Sequence, residues 1–122
     1  MMYEQDYIMR IISDLIKFLS KVVFGKNNAI YEISEDEGYK ESDELHRELI
    51  DLISQKRINE AEDLLFEKFN SSDNRQIMVA IDFYQRLNAF NDKDLNESNF
   101  SRKEIEEGLR DIANRAEIIK RQ

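Results

Sequence analysis

The sequence predicts an all-α fold, and three observations lead to this prediction. The 122 residues include no proline and only three glycines, so few positions favour a tight turn and no proline ring interrupts a helix. Apolar residues recur at spacings of three and four along several segments. Hydrophobic residues make up 41% of the chain and charged residues 36%, which provides both a core and a solvated surface. We therefore expect one domain, residues 1–122, built as a five-helix bundle.

The first helix is predicted over residues 3–24 and has a wide apolar face. Gly25 follows, and glycine favours the left-handed conformation that often ends a helix. The apolar side chains fill an arc of about 200°, whereas a surface helix usually shows a stripe nearer 100°. We therefore predict that residues 1–25, a long N-terminal amphipathic helix, form the interface of a homodimer. The predicted interface residues are Ile8, Ile11, Ile12, Leu15, Phe18, Leu19 and Val22.

Three alternatives could account for the same wide apolar face. Ile30, Tyr31 and Ile33 of the following segment could fold back over it, or the helix could be the central one of the bundle. The helix could also lie on a membrane surface, although four basic and three acidic residues within 1–26 give only a weak attraction to anionic lipid. Four charges interrupt the apolar stretch, so we expect no stable membrane insertion.

An acidic linker is predicted over residues 26–41. Residues 27–70 hold thirteen acidic and five basic side chains, so the net charge of −8 is concentrated in the middle of the chain. Such a segment improves solubility or docks a basic partner. The acidic excess argues against nucleic acid, whose phosphates need a basic face. The acidic N-terminus is unlike a signal peptide, so we expect a cytoplasmic protein.

Residues 42–122 are predicted to form the remaining four helices. Ser42 is placed as the N-cap of the second helix. A short break at residues 56–57 joins it to the third helix, which predicts an antiparallel αα-hairpin. A fourth helix follows a polar turn at residues 70–74, and a polar loop at residues 91–99 precedes the last helix.

The last helix begins at the clearest local signal in the chain. Ser101 and Glu104 have the spacing of a capping box, and Phe100 and Ile105 have that of a hydrophobic staple. Gly108 follows inside this helix, where glycine costs about 1 kcal/mol relative to alanine. We expect the backbone of another helix to pass close to this glycine.

Part of the hairpin, residues 54–65, resembles the turn and second helix of a tetratricopeptide repeat. Ala61 stands where that repeat has a small residue between two close helices, and Ile58 stands at a large apolar position. Lys56 replaces the repeat's glycine, and the tryptophan and tyrosine of its first helix are not evident. Because a solenoid needs about three or more repeats, we predict a tetratricopeptide-like hairpin and not a peptide-binding array.

Motifs for catalysis or metal binding are incomplete. The chain has no cysteine and one histidine, which removes thiolate chemistry and histidine clusters within one chain. Asp43 and His46 have the spacing of helical di-metal sites, but a homodimer would have to provide the second set. Residues 92–103 begin like a calcium loop, but Glu97 and Lys103 replace the required glycine and glutamate. We predict no cofactor, no bound metal and no catalytic residue.

Several segments together resemble a family of small bacterial proteins of unknown function, found mostly in Firmicutes. These segments cover nearly the whole chain in one order and comprise residues 3–10, 24–26, 59–65, 80–84 and 99–109. The acidic linker matches least. The resemblance implies a bacterial cytoplasmic protein, and it implies no activity, ligand or catalytic residue.

The sequence favours a non-catalytic protein-interaction module that self-associates through its N-terminal helix. An unidentified protein partner is also compatible with the pattern. The alternative is a small-ligand-binding protein or an enzyme that uses carboxylates in a helical groove. A deep pocket lined by converging carboxylates and tyrosine would favour that alternative.

Overall fold

The computed structural model describes residues 2–33 and 40–118, with side chains from residue 6 onward. These ranges contain helices and no strand, which confirms the all-α prediction. The six helices are α1 (Met2–Phe24), α2 (Lys40–Ser54), α3 (Ile58–Lys68), α4 (Asn74–Asn88), α5 (Asp92–Glu97) and α6 (Arg102–Arg115).

The predicted count of five helices misses α5, which lies inside the segment expected to be a polar loop. Asn91 caps this helix, because its side-chain oxygen accepts a hydrogen bond from the backbone N–H of Asp94 at 2.7 Å. Leu95 is its buried side chain. A helix of six residues with a single inward position has no apolar periodicity, so the pattern of the sequence does not reveal it.

The start of α2 also differs from the prediction. The helix begins at Lys40, two residues before the proposed cap, so Ser42 lies inside the helix and is buried. Its hydroxyl oxygen is 2.6 Å from the hydroxyl oxygen of Tyr31. The Ser42 side chain therefore serves a contact between distant segments and not a local cap.

A short turn joins α2 to α3, as the hairpin prediction requires. Lys56 adopts a left-handed backbone conformation with φ of 60°, at the position where the tetratricopeptide repeat has glycine. The backbone N–H of Arg57 donates to the carbonyl oxygen of Leu52 at 2.9 Å and closes this turn. Ile58 and Ala61 are buried, and α3 packs mainly against α2.

The central helix of the bundle is α4, and α1 is not. Helix α4 packs against α1, α2 and α6, and it buries side chains on nearly all sides. Its largest fully buried side chains are Phe83, Tyr84, Ile81 and Leu87. Helix α1 packs against α4 and α6 only along one face.

The start of α6 is the capping box that the sequence predicts. The Ser101 hydroxyl accepts a hydrogen bond from the Glu104 backbone N–H at 3.1 Å, and the Glu104 carboxylate accepts one from the Ser101 backbone N–H at 3.2 Å. Phe100 and Ile105 are both buried, as the predicted staple requires.

A buried arginine, which the sequence reasoning missed, connects α4 to α6. The Arg102 guanidinium donates to the carbonyl oxygens of Asn88 at 3.0 Å and Phe90 at 2.6 Å. It also pairs with Asp92 at 3.0 Å. These bonds satisfy carbonyl groups near the C-terminus of α4, where the helix leaves them without internal partners.

Gly108 does face a close neighbour, but the neighbour is a side chain. A Cβ atom at this position would lie 2.2 Å from the Tyr84 hydroxyl oxygen and 2.4 Å from its Cζ atom. The expectation of a crossing helix backbone was therefore wrong. The glycine leaves room for the buried ring of Tyr84, whose hydroxyl donates to Glu62 at 2.6 Å.

Candidate functional site

Exposed apolar side chains are concentrated on one edge of α1. Tyr7 is 66% exposed, Phe18 51% and Val22 56%, and Ile11 is half-buried beside them. At 100° per residue, these four positions fall within roughly 60° of the helix circumference. We call these four residues the α1 strip.

The structure divides the seven predicted interface residues into three groups. Three of them pack into the core of their own chain, because α4 and α6 cover the middle of the wide apolar arc. Only the edge of the predicted interface is accessible. The buried residues are Ile12, Leu15 and Leu19, the half-buried ones are Ile8 and Ile11, and the exposed ones are Phe18 and Val22.

Charged side chains lie along one side of the strip. Asp14 borders it, and the basic residues Arg10, Lys17 and Lys21 follow on the same side, all of them exposed. Residues 1–26 hold four basic and three acidic side chains, so the acidic excess of the chain lies elsewhere. Residues 1–26 therefore contribute none of the net negative charge of the chain.

The segment after α1 lies against α2 and α4, and we call residues 29–33 the strap. Ala29 and Tyr31 are buried there, whereas Ile30 and Ile33 are exposed. Of the three apolar residues that could have covered the first helix, only Tyr31 is buried, and it forms hydrogen bonds with residues of α2 and α4. The strap therefore leaves the α1 strip exposed.

Tyr31 anchors the strap in a cluster of buried polar groups. Its hydroxyl donates to the carboxylate of Asp43 and contacts Ser42. Its backbone N–H donates to the Asp82 carboxylate at 2.7 Å. Burial, followed by the bond to Asp43, raises the pKa of Tyr31 above its ordinary value. These bonds hold a phenol and two carboxylates in fixed positions.

Two cationic or aromatic side chains complete this cluster. The Arg75 guanidinium lies 4.4 Å from the centre of the Tyr31 ring and donates to the carbonyl oxygen of Glu32 at 2.8 Å. The His46 ring is 4.8 Å from the Tyr31 ring, and burial lowers the pKa of this histidine. The cluster fastens the strap to the bundle.

In the part of the chain that the structure describes, no further ligands complete the two incomplete metal motifs. Within the described residues, no three potential His, Asp or Glu ligands lie together in an arrangement suited to a metal ion. In the calcium-like segment, Asp92 pairs with Arg102 at 3.0 Å. Asp94 lies 3.9 Å from the Lys56 amine. The carboxylates of this segment therefore face cationic side chains.

The described surface includes two open clefts. The first, of about 320 Å³, receives its carboxylates from one face of α2, and no tyrosine lines it. It lacks the combination of carboxylates and tyrosine that would favour the alternative of a ligand-binding protein or enzyme. Its lining residues are Glu41, Glu44, Leu45, Glu48, Lys68 and Gln76. The second, of about 490 Å³, lies between α1, residues 27–28 and α4, and carboxamide side chains line it with Lys17 as its one charged residue.

A buried carboxyl–tyrosine pair lies between α3 and α4. Burial raises the pKa of Glu62, and burial together with Glu62 raises the pKa of Tyr84. Such shifts occur at catalytic sites and also in packed cores. Tyr84 is fully buried and its ring fills the space above Gly108, so this pair contributes to packing.

A comparison with known protein families places the chain. A family of unknown function (DUF6483) matches residues 2–117. The chain belongs to this family. The match spans all six helices and confirms the resemblance to a family of unknown function. No curated protein and no solved structure shows significant similarity to the chain.

Each helix that the structure describes is too short or too polar to cross a membrane.

Proposed function

We propose that this family member is a non-catalytic protein-interaction module that forms a homodimer through the α1 strip. The exposure of Tyr7, Phe18 and Val22 on one edge of a single helix supports the proposal. Contiguous apolar surface rimmed by charge marks interaction sites more often than ordinary solvent-facing surface. The bundle leaves this edge open because α4 and α6 cover only the middle of the apolar arc.

The distribution of charge supports a second copy of the chain as the partner. Residues 27–70 hold thirteen acidic and five basic side chains, so two molecules that met there would repel each other. Residues 1–26 hold nearly balanced charge. Contact at α1 therefore brings two copies together where the electrostatic repulsion is smallest.

The size of the strip is compatible with a reversible dimer. Full burial of a Val or Phe side chain contributes about 1.5–3 kcal/mol. In a dimer, each of the two copies buries its own strip side chains. Association itself costs about 4–15 kcal/mol in translational, rotational and side-chain freedom. We therefore expect dissociation on dilution and a dimer at micromolar concentration.

Light scattering coupled to size exclusion tests the proposal. The wild-type chain should show twice its monomer mass of 14.6 kDa at micromolar concentration, and its mass should fall on dilution. The double variant Phe18→Glu/Val22→Glu should be monomeric, because charges in the strip cannot be buried without partners. Both side chains are exposed in one chain, so circular dichroism of this variant should remain that of the wild type.

A matched control is available on the strap. Ile30 and Ile33 are exposed isoleucines that lie outside α1. The variant Ile30→Glu/Ile33→Glu therefore introduces the same number of charges as Phe18→Glu/Val22→Glu, also at exposed apolar positions. This variant should remain dimeric. A wild-type mass of 14.6 kDa throughout the micromolar range would refute the proposed homodimer.

A further part of the proposal rests on the hairpin. The single hairpin at α2 and α3 supports a tetratricopeptide-like element, with Lys56 in the left-handed conformation that the repeat's glycine would favour. The alternative of a ligand-binding or catalytic protein has less support, because no tyrosine lines the carboxylate cleft.

A further inference from the structure

We infer that the two copies pack their α1 helices antiparallel, about a twofold axis that passes between residues 14 and 15 of each copy. This inference rests on the proposed homodimer and specifies its geometry. It follows from the positions of the strip residues along α1.

The spacing of the strip is symmetric about its middle. Tyr7 and Val22 are equally distant from the midpoint between residues 14 and 15, and so are Ile11 and Phe18. In an antiparallel pair centred there, each residue lies level with its symmetric counterpart in the second copy. Each aromatic side chain of one copy then faces an aliphatic side chain of the other. Large and small side chains alternate across the contact, which favours interdigitation.

A closed dimer requires a surface that matches itself under a twofold rotation. In a parallel pair, Phe18 would face Phe18 and Tyr7 would face Tyr7, while the smaller pairs Ile11 and Val22 would leave gaps between them. The antiparallel arrangement avoids this mismatch. The apolar pattern of the strip therefore favours the antiparallel pair.

The charges beside the strip do not decide between the two arrangements. In a parallel pair the twofold axis runs along the helices, so the charged edges of the two copies lie on opposite sides of the contact, whereas in an antiparallel pair they lie on the same side. In the antiparallel pair, Asp14 of one copy lies about 3 Å along the helix axis from the level of Lys17 of the other, at a rise of 1.5 Å per residue. The two Asp14 side chains meet near the axis, and each has this lysine as a compensating charge.

The outer charges include one attractive and two repulsive contacts in the antiparallel pair. Lys21 of one copy lies about 3 Å along the axis from the levels of both Arg10 and Asp6 of the other. Arg10 lies about 3 Å from the level of Lys17 as well, so the apolar side chains, and not these charges, carry the inference. All of these side chains are exposed in the single chain and are free to adjust.

Cysteine cross-linking distinguishes the two arrangements, and the chain offers no background because it contains no cysteine. A disulfide requires Cα atoms within about 4.4–6.8 Å. In the antiparallel pair, two copies of Tyr7→Cys hold their thiols about 22 Å apart along the axis. Tyr7→Cys mixed with Val22→Cys should therefore give a cross-linked dimer on oxidation, whereas each variant alone should give little.

A third variant separates the failure of this inference from the failure of the proposed dimer. Residue 14 of one copy lies close to residue 14 of the other in both arrangements. Asp14→Cys should therefore form a cross-link whenever α1 pairs with α1. Cross-linking of Tyr7→Cys alone, with no gain in the mixture, would overturn the antiparallel arrangement and leave the dimer intact. No cross-link in any variant, together with a monomeric mass by light scattering, would overturn both.

Discussion

At the scale of single residues, Gly108 shows how one buried side chain restricts the residue type at a neighbouring position. The position looked costly in the sequence because glycine weakens a helix interior. The structure supplies the reason in the buried ring of Tyr84, which lies where a Cβ atom would be. Sequence reasoning found the right residue and the wrong neighbour, because the pattern of a helix does not show which side chain of a distant helix reaches it.

Gly108→Ala should destabilise the fold by at least about 1 kcal/mol. Alanine gains about 1 kcal/mol in helix propensity, but overpacking of a rigid aromatic ring costs about 1–3 kcal/mol or more. The clash with Tyr84 at 2.2 Å places this substitution at the costly end. Thermal unfolding should show a melting temperature lower by roughly 4–8 °C. Glu107→Ala, at the exposed neighbouring position, should leave it unchanged, and a raised melting temperature for Gly108→Ala would contradict the argument.

At the scale of helices, the sequence predicted features that depend on neighbouring residues and missed features that depend on distant segments. The capping box of α6 depends on residues three apart, so the sequence contained all of it. The role of Ser42 depends on its contact with Tyr31, which lies in a different segment. The turn at Lys56 lacks the expected glycine, yet its backbone still takes the left-handed conformation. A pattern read along one helix therefore predicts where helices form better than what surrounds them.

The capping box gives a prediction for α6 as an element. Ser101→Ala removes the acceptor for the Glu104 backbone N–H and should cost about 1 kcal/mol. For a domain of this size, the melting temperature should fall by about 3–6 °C. Ser101→Thr retains the hydroxyl and should recover most of the loss. Equal melting temperatures for the alanine variant and the wild type would show that the hydroxyl does not stabilise the start of α6.

At the scale of the whole molecule, the environment of α4 explains why the α1 interface was predicted too broadly. Helix α4 buries side chains on nearly all sides, Val79 and Phe83 among them. Helix α4 therefore presents apolar surface to several neighbours at once, and α1 is one of them. The width of the α1 arc was predicted correctly from residue positions. Which part of that arc remains open depends on two helices that lie far away in the sequence.

The stability of the fold should fall in mild acid through His46. Burial lowers the pKa of this histidine in the folded state, and Arg86 and Arg47 act in the same direction, whereas Asp82 and Asp43 oppose them. The unfolded chain, with a histidine pKa of about 6.5, then binds the proton more readily. Stability is therefore constant above that pH and is lost as the pH falls through it, by at most about 1.4 kcal/mol per pH unit.

Urea unfolding between pH 7.5 and pH 5 measures this dependence. His46→Gln should flatten the slope over this range, whereas the wild type should lose stability. The two proteins differ only at residue 46, so the difference between the two curves isolates the histidine. Parallel curves for the two proteins would contradict the assignment.

The pairing of α1 with α6 has a consequence for the order in which the molecule can be assembled. Helix α1 leaves the ribosome before α4 and α6, the helices on which it packs. At a synthesis rate of about 5–20 residues per second, roughly 5–20 s pass before its main neighbours have been made. During that interval the whole apolar arc of α1 faces the surrounding solution. The nascent chain therefore exposes a broader apolar surface than the finished molecule does, and co-translational contact with a chaperone or a second nascent chain would occur there first.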